Sequence, residues 1–218
     1  MSRLGYDRYG AQGGGGGADP ALELARQEPD RVVGVHVNAW VAFPSPDEGE
    51  FTADEQRRLG IMQTFMQEGL GFNQIRSTRP QTLAHGLTDS PVGQLAWIVE
   101  KFKEWTDSRA ELPEDAFSRD RVLTDVSLMW FTATAGSVAN LYYELGHDPG
   151  AYAPKPRVTV PTAVLLAKDD VTIRRFAERD ADVRRWTELD RGGAYLALEV
   201  PDLLVADVRA FFAPPASA

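Results

Sequence analysis

The chain has 218 residues, of which 43% are hydrophobic and 25% are charged, and its formal net charge is −9. This composition is typical of a folded protein with a hydrophobic core and excludes a disordered chain. The acidic balance argues against a nucleic-acid partner, and the lack of cysteine excludes disulfides, a thiol nucleophile and a zinc–thiolate site. No apolar run approaches the ~18 residues that span a bilayer, and residues 1–7 contain no signal-peptide core. We therefore expect a soluble cytoplasmic protein of one domain, or of one domain with a large insertion.

The first part of the sequence predicts a strand–helix–strand unit. The aromatic stretch Leu4–Ala11 is bounded by glycines and predicts a strand, and five glycines follow at positions 13–17. Pro20–Glu28 has the pattern of a helix, with Asp19 as its N-cap. The β-branched run Arg31–Asn38 predicts a buried strand. Such a unit implies parallel strands joined by a right-handed crossover.

A section of helical character follows, roughly residues 43–156, in which no strand pattern occurs. Thr52–Glu68 is a predicted helix that opens with the capping pattern Thr52-x-x-Glu55. Ser90–Trp105 is a second predicted helix. Arg119–Tyr143 is also predicted to be helical, because its large apolar residues recur at helical spacing. We interpret this section as an all-helical insertion between two β/α portions.

Alternating β and α patterns resume after the insertion. Val160–Ala167 predicts a strand, Val171–Arg179 a helix and Arg185–Leu189 a short strand. A closing helix, Asp202–Phe212, is expected to turn four apolar residues inward: Leu203, Leu204, Val208 and Phe211. The whole pattern predicts an α/β fold with a mostly parallel sheet and a helical cap, divided into core residues 1–42, cap residues 43–157 and core residues 158–218.

Three stretches of the sequence carry a resemblance to a known family. They are the glycine run at positions 13–17, the sequence Asp-Ser-Pro-Val-Gly at 89–93, and Arg-Gly-Gly-Ala-Tyr at 191–195. They resemble the nucleophile elbow Gly-Gly-Asp-Trp-Gly, the cap signature Asp-Ser-Pro-Val-Gly and the loop Arg-Gly-Gly-His-Phe of microsomal-type epoxide hydrolases, which have the α/β-hydrolase fold. The resemblance extends over Leu4–Phe212 and corresponds to the C-terminal portion of the family sequence.

This resemblance implies a reaction centre from which key side chains are absent. In register, the nucleophilic Asp falls on Gly15, the Trp beside it on Gly16, and the histidine that activates water on Ala194. The family's catalytic triad also contains an acid, which follows the strand that corresponds to Val160–Ala167. The register favours Asp170 as this acid. Taken alone, the glycines would suit a linker, and Asp170 would suit the N-cap of the next helix.

The family also uses two cap tyrosines, which bind the epoxide oxygen and stabilise the developing alkoxide. The resemblance places one on Tyr142 and the other on Phe72, which keeps the ring and lacks the hydroxyl donor. Aromatic packing is the alternative role for Tyr142. Four further positions are expected to contribute to substrate binding: Gly16, Trp97, Trp130 and Tyr195.

None of the three histidines has the spacing to replace the missing base. His36 lies in a buried strand pattern and is expected in the core. His85 and His147 are expected near the surface of the cap, although His85 precedes the cap signature and could face the binding cavity.

The resemblance implies a family reaction in which an epoxide is opened to a diol through an Asp ester, and this chain is expected to be inactive or severely impaired in it. Two alternatives stay open: a binding module with an apolar cavity under the cap, and a non-covalent enzyme that uses Asp170 and Tyr142. We expect no cofactor and no metal, and a hydrophobic, epoxide-like small molecule as the ligand. Because the earlier strands of the family's sheet have no counterpart here, we also expect an unpaired sheet edge. It implies either marginal stability or pairing with a second copy or with a complementing N-terminal chain.

Overall fold

The computed structural model describes residues 1–45, 49–151 and 153–213 and divides the chain into two units. One unit combines Met1–Leu59 with Lys155–Ala218, and the other is Gly60–Pro154. The strands are β1 (Tyr9–Gly14), β2 (Val32–Asn38), β3 (Val158–Leu166) and β4 (Ala181–Glu188). The helices are α1 (Ala18–Gln27), α2 (Ala53–Thr64), α3 (Gly71–Thr78), α4 (Pro80–Asp89), α5 (Pro91–Trp105), α6 (Arg119–Phe131), α7 (Ala135–His147), α8 (Arg174–Asp180), α9 (Leu196–Glu199) and α10 (Pro201–Phe212).

The first unit is built on a four-stranded sheet in the order β1-β2-β3-β4, with every pair of neighbours parallel. Val37 of β2 lies between Gly13 of β1 and Val164 of β3, and Val164 is paired with Trp186 of β4. The helices confirm the predicted α/β class with an all-helical insertion between β2 and β3.

Apolar residues are buried on both faces of this sheet. The larger cluster joins Val37 and Val164 to Leu22 of α1 and Phe176 of α8. Leu165, the next residue of β3, belongs to a separate cluster with Leu196 and Val200. Because successive strand residues point to opposite faces, helices must cover both faces, which explains the continuous apolar runs in β2 and β3.

The start of the chain differs from the prediction. The strand begins at Tyr9, and Ser2–Leu4 form a 3₁₀ turn, so the first half of the predicted strand Leu4–Ala11 is wrong. The predicted N-cap Asp19 is also wrong, since α1 begins at Ala18 with Gly17 in the cap position. The glycine turn runs directly into the helix, and Asp19 lies in its first turn, where a negative charge suits the helix dipole.

The C-terminal elements are offset from the prediction as well. The helix α8 begins at Arg174 instead of Val171, because Asp170 Oδ1 accepts a hydrogen bond from Thr172 N at 2.8 Å and turns the chain before the helix starts. Consequently Asp170 is not the N-cap of this helix. On α10 the buried residue is Asp207, whereas the four apolar residues predicted to point inward are half-buried.

The insertion contains more and shorter helices than predicted. The capping pair is confirmed, because Thr52 N donates to Glu55 Oε2 at 2.8 Å and Glu55 N to Thr52 Oγ1 at 3.3 Å. Ser90 caps α5 by accepting from Gly93 N at 3.0 Å. The predicted helix Arg119–Tyr143 is wrong as one element, since α6 and α7 are bent by 85° at a break where Ala133 has a φ of 52°. The helices α3 and α4 were not predicted.

Within the second unit, α7 packs against both α3 and α4, and α5 packs against α4 and α6. No single helix among the described residues is long and apolar enough to cross a bilayer, and α6 and α7 reach that length only when counted together across their bend.

Candidate active site

The glycine run forms a sharp turn between a strand and a helix. After β1 ends at Gly14, residues Gly15–Gly17 make one 3₁₀ turn and α1 begins at once. Gly15 has a φ of +53°, in the left-handed region that strains residues with a side chain. A strained strand-to-helix turn is the conformation that exposes the nucleophile of α/β-hydrolases.

The space around these glycines differs from one position to the next. A Cβ atom on Gly13 would lie 2.0 Å from the Gly17 carbonyl oxygen, and one on Gly14 would lie 2.6 Å from the Asn38 amide. A Cβ atom on Gly15 or Gly16 would meet nothing within 4 Å. The turn therefore demands glycine at position 13 and has room for side chains at 15 and 16, which matches the G-x-nucleophile-x-G spacing.

The predicted acid, Asp170, lies in the loop that follows β3. Asp170 Oδ1 accepts hydrogen bonds from Thr172 N and from the Thr172 hydroxyl, which lies 2.6 Å away. The same hydroxyl contacts the Trp40 carbonyl oxygen, and this contact connects the loop to the segment after β2. Withdrawal from water raises the pKa of the Asp170 carboxyl above its ordinary value, and hydrogen bonds from Thr172 and the Ala39 backbone and the charge of Arg58 oppose the rise.

A buried arginine on α2 binds the loop of residues 167–173, which carries Asp170 and is called the acid loop. Arg58 Nη1 donates to the Asp170 carbonyl at 2.9 Å and to the Thr172 carbonyl at 3.2 Å. Its other nitrogens pair with Glu188 at the end of β4 and with Asp54 one helical turn away, at 3.0 and 2.7 Å. Arg58 was not predicted from the sequence, since its partners in the Asp170 loop and on β4 lie more than 100 residues further along the chain.

The loop that carries Ala194, the position predicted for the histidine base, follows β4. Gly192 has a φ of +85°, and the carboxylate of Glu199 accepts hydrogen bonds from Gly193 N and Tyr195 N, both at 3.0 Å. This loop also contacts the acid loop, because Lys168 N donates to the Gly192 carbonyl at 3.4 Å. Ala194 is exposed at its centre, and Tyr195 is half-buried.

The parallel sheet brings three predicted positions to one edge. Gly15, Asp170 and Ala194 follow the carboxyl ends of β1, β3 and β4, the edge at which ligands bind in open α/β sheets. Of the three, only Asp170 carries a side chain that can exchange a proton. Their catalytic roles stay predictions.

The two positions predicted for the cap tyrosines lie together in the second unit. The rings of Phe72 on α3 and Tyr142 on α7 are 5.9 Å apart and meet edge to face. The Arg76 guanidinium lies 4.8 Å from the Tyr142 ring centroid and 5.5 Å from that of Trp97. Trp130 is half-buried on α6. Sequence analysis missed Arg76, although it lies one helical turn from Phe72 on the same helix face.

The three histidines lie where the sequence suggested. His36 is fully buried in β2, and His85 and His147 are exposed on α4 and α7. Among residues 1–45, 49–151 and 153–213, no group of three or more His, Cys, Asp or Glu side chains could hold a metal ion.

Comparison with known proteins finds epoxide hydrolases among the relatives of this chain. No protein-family model matches the chain. A Stigmatella aurantiaca protein, whose name places it provisionally among the epoxide hydrolases, is 38% identical over 97% of this chain and 48% of its own length. Epoxide hydrolase 1 of Sus scrofa is 32% identical over 97% of this chain and 52% of its own length. The crystal structure of the juvenile hormone epoxide hydrolase of Bombyx mori superposes with a TM-score of 0.83 at 29% identity, over 96% of this chain and 55% of that one.

The chain thus spans about half the length of the curated relatives it matches. The matched stretch takes in 96–97% of this chain, in sequence and in fold. The homologues of this chain are therefore epoxide hydrolases, and its structural neighbours are epoxide hydrolases of the α/β-hydrolase fold.

Proposed function

We propose that this chain binds a hydrophobic, epoxide-like small molecule and does not turn it over through a covalent ester. The observation that carries the proposal is the elbow, where the position expected for the nucleophile is Gly15, with open space in place of a carboxylate. In the family reaction, a carboxylate oxygen attacks an epoxide carbon and the ring C–O bond breaks. Water then cleaves the ester with the help of histidine.

Both covalent steps lack their reacting group in this chain. Glycine offers no oxygen for the attack, and Ala194 accepts no proton from water. Residues of such a unit act together, so the loss of the nucleophile and the base lowers turnover by ~10⁴-fold or more. Asp170 would retain a supporting role only, because the histidine that it would orient is absent.

The binding half of the proposal rests on what the chain keeps. Tyr142 supplies one hydroxyl donor for a ligand oxygen, and the rings of Phe72 and Trp97 lie near it. Pockets lined by aromatic side chains with a few polar groups are typical of small-molecule sites.

The experiment is intact-mass spectrometry after incubation with excess styrene oxide, combined with a thermal-shift measurement. We expect a raised melting temperature and an unchanged protein mass. An ester on the original chain, on any residue near the elbow, would overturn the proposal. So would the absence of a thermal shift with any hydrophobic epoxide tested.

A pair of variants locates the missing chemistry. Gly15→Asp places a carboxylate at the predicted nucleophile position, and an ester formed there should persist because Ala194 provides no base. Gly17→Asp is the matched control, since it adds the same charge to the same turn at a position where a Cβ also meets nothing within 4 Å. Adduct formation in the first variant and not in the second supports the register on which the proposal depends.

A further inference from the structure

The cap contains an arginine whose charge no described residue neutralises. Arg76 on α3 is half-buried, and its guanidinium makes neither a hydrogen bond nor an ion pair with the residues that the structure describes. Its Nε atom is buried without a partner. Burying a donor with no acceptor, above all a charged one, is unfavourable, so such a group is expected to have an acceptor in the working protein.

Aromatic rings from three helices surround this guanidinium. The ring centroids of Phe72, Trp97 and Tyr142 lie 5.9, 5.5 and 4.8 Å from the guanidinium carbon. Cation–π contacts of this kind stabilise the charge partly but accept no N–H bond. They also hold the guanidinium in place, so that its planar fork is pre-organised for a ligand.

A second donor beside Arg76 is also unsatisfied. The indole Nε1 of Trp97 is buried without a hydrogen-bond partner. Trp97 is half-buried as a residue, so this cluster is not sealed from solvent. The tyrosine hydroxyl of Tyr142 is a third donor, and the neighbouring ring of Phe72 offers none.

We infer that Arg76, Trp97 and Tyr142 form a binding site for the carboxylate of a hydrophobic acid, with the surrounding rings as its apolar wall. A carboxylate has two acceptor oxygens in the plane that a guanidinium fork matches, and charge-assisted pairs of this kind are about twice as strong as neutral ones. A neutral epoxide oxygen would leave the arginine charge unpaired. The inference rests on the proposed function, because it names the ligand class that the same cap cluster would hold.

Lys101 does not compete for this role. Its ammonium lies 5.0 Å from the Phe72 ring centroid but pairs with Glu100 and Glu104 at 2.8 and 2.6 Å. Its charge is therefore already neutralised within α5, whereas the Arg76 charge is available to a ligand.

Isothermal titration with 4-phenylbutanoate and its neutral amide tests the inference on the full chain. The acid should bind at least about tenfold more tightly than the amide, in line with the energy of a hydrogen bond to a charged group. Arg76→Gln should abolish this preference, and Arg76→Lys should keep part of it, because lysine retains the charge without the fork. Arg79→Gln, on an exposed arginine three residues away, is the matched control and should bind the acid as the original chain does.

Stability distinguishes a binding role from a structural one. Removal of an unpaired, half-buried cation should leave the melting temperature of Arg76→Gln unchanged or raise it in the absence of ligand. A lower melting temperature together with unchanged acid binding would overturn the inference. Equal affinity for acid and amide would also overturn it while leaving the proposed binding of neutral ligands intact, and failure of both to bind would overturn it as well. An ester with styrene oxide on the original chain tests the proposed function separately.

Discussion

His36 Nε2 on β2 donates a hydrogen bond to Asp207 Oδ2 on α10 at 3.0 Å, and both side chains are withdrawn from solvent. The other oxygen of Asp207 accepts from Arg185 at 2.8 and 2.6 Å and from the Thr187 hydroxyl at 2.8 Å. One carboxylate on the last helix therefore binds to two strands of the sheet. Because α10 is otherwise attached by half-buried apolar residues, this polar contact fixes its position.

We expect Asp207→Ala to lower the free energy of unfolding by about 3 kcal/mol, since it leaves a buried histidine and an arginine without their acceptor. Urea denaturation followed by far-UV circular dichroism measures the change. Asp202→Ala, an exposed acidic residue in the first turn of the same helix, should lose less than about 1 kcal/mol. Equal losses in the two variants would contradict the assigned role of Asp207.

The same pair should make stability depend on pH. Burial lowers the pKa of His36 below its ordinary value of 6.5, although the hydrogen bond to Asp207 opposes the shift. The unfolded chain therefore takes up a proton on His36 before the folded chain does, and stability falls as pH drops below 6.5. Burial raises the pKa of Asp207, but hydrogen bonds from Arg185, Thr187 and His36 outweigh it and leave the pKa below 3.8, so its contribution is lost only in stronger acid. Between pH 7.5 and 5, the original chain should lose more stability in urea titrations than His36→Gln, and parallel curves would contradict the prediction.

The glycine turn predicts a graded series of alanine variants. Gly13→Ala should be the most destabilising, by about 3 kcal/mol or more, because its Cβ would lie 2.0 Å from a carbonyl oxygen of the backbone. Gly15→Ala should cost about 1 kcal/mol from its positive φ alone, and Gly16→Ala should be nearly neutral in open space. Thermal denaturation of the three variants gives the ranking. If Gly16→Ala were as harmful as Gly13→Ala, the assigned register of the turn would be wrong.

The features of this fold that depend on local patterns were predicted from the sequence. The apolar runs of β2 and β3 and the extent of α5 can be read from consecutive residues of the sequence. The resemblance added the register of Gly15, Asp170 and Ala194, whose loops the structure places at one edge of the sheet.

The features that were missed depend on residues far apart in the chain. The contact between His36 and Asp207 joins positions 171 residues apart, and in the sequence Asp207 looked like a polar residue of an amphipathic helix. The break between α6 and α7 was missed because Thr132, Ala133 and Thr134 do not interrupt the apolar pattern, whereas the positive φ of Ala133 arises only in the packed structure. The isolation of Arg76 from every carboxylate that the structure describes likewise became visible only once α3, α5 and α7 were assembled.

Two adjacent arginines on α2 offer a controlled test of the acid loop. Arg57 and Arg58 both pair with Asp54, but Arg57 is exposed and Arg58 also binds the Asp170 loop and Glu188. Arg58→Gln should lower the free energy of unfolding by about 2–3 kcal/mol, because two loop carbonyls lose a charged donor, while Arg57→Gln should change it by less than about 0.5 kcal/mol. Chemical denaturation measures both, and a comparable loss in the Arg57 variant would show that the surface pair with Asp54 is what matters.

Asp170 should reduce stability when it is ionised, because its loop withdraws the carboxylate from water. Burial raises the pKa of Asp170 in the folded chain, whereas in the unfolded chain its pKa has the ordinary value of 3.8. The folded chain therefore keeps the proton to a higher pH than the unfolded chain. Stability contributed by the protonated form is therefore lost as pH rises from 3.8 through the folded pKa. Asp170→Asn cannot ionise, so its stability relative to the original chain should increase between pH 4 and 7 in urea titrations. Asp170→Ala, which removes the acceptor of the Thr172 hydrogen bonds, should lie about 1 kcal/mol or more below the Asn variant at every pH. A relative stability of the Asn variant that decreases over this range would mean that the charge of Arg58 outweighs burial, and that Asp170 is stabilised as a carboxylate.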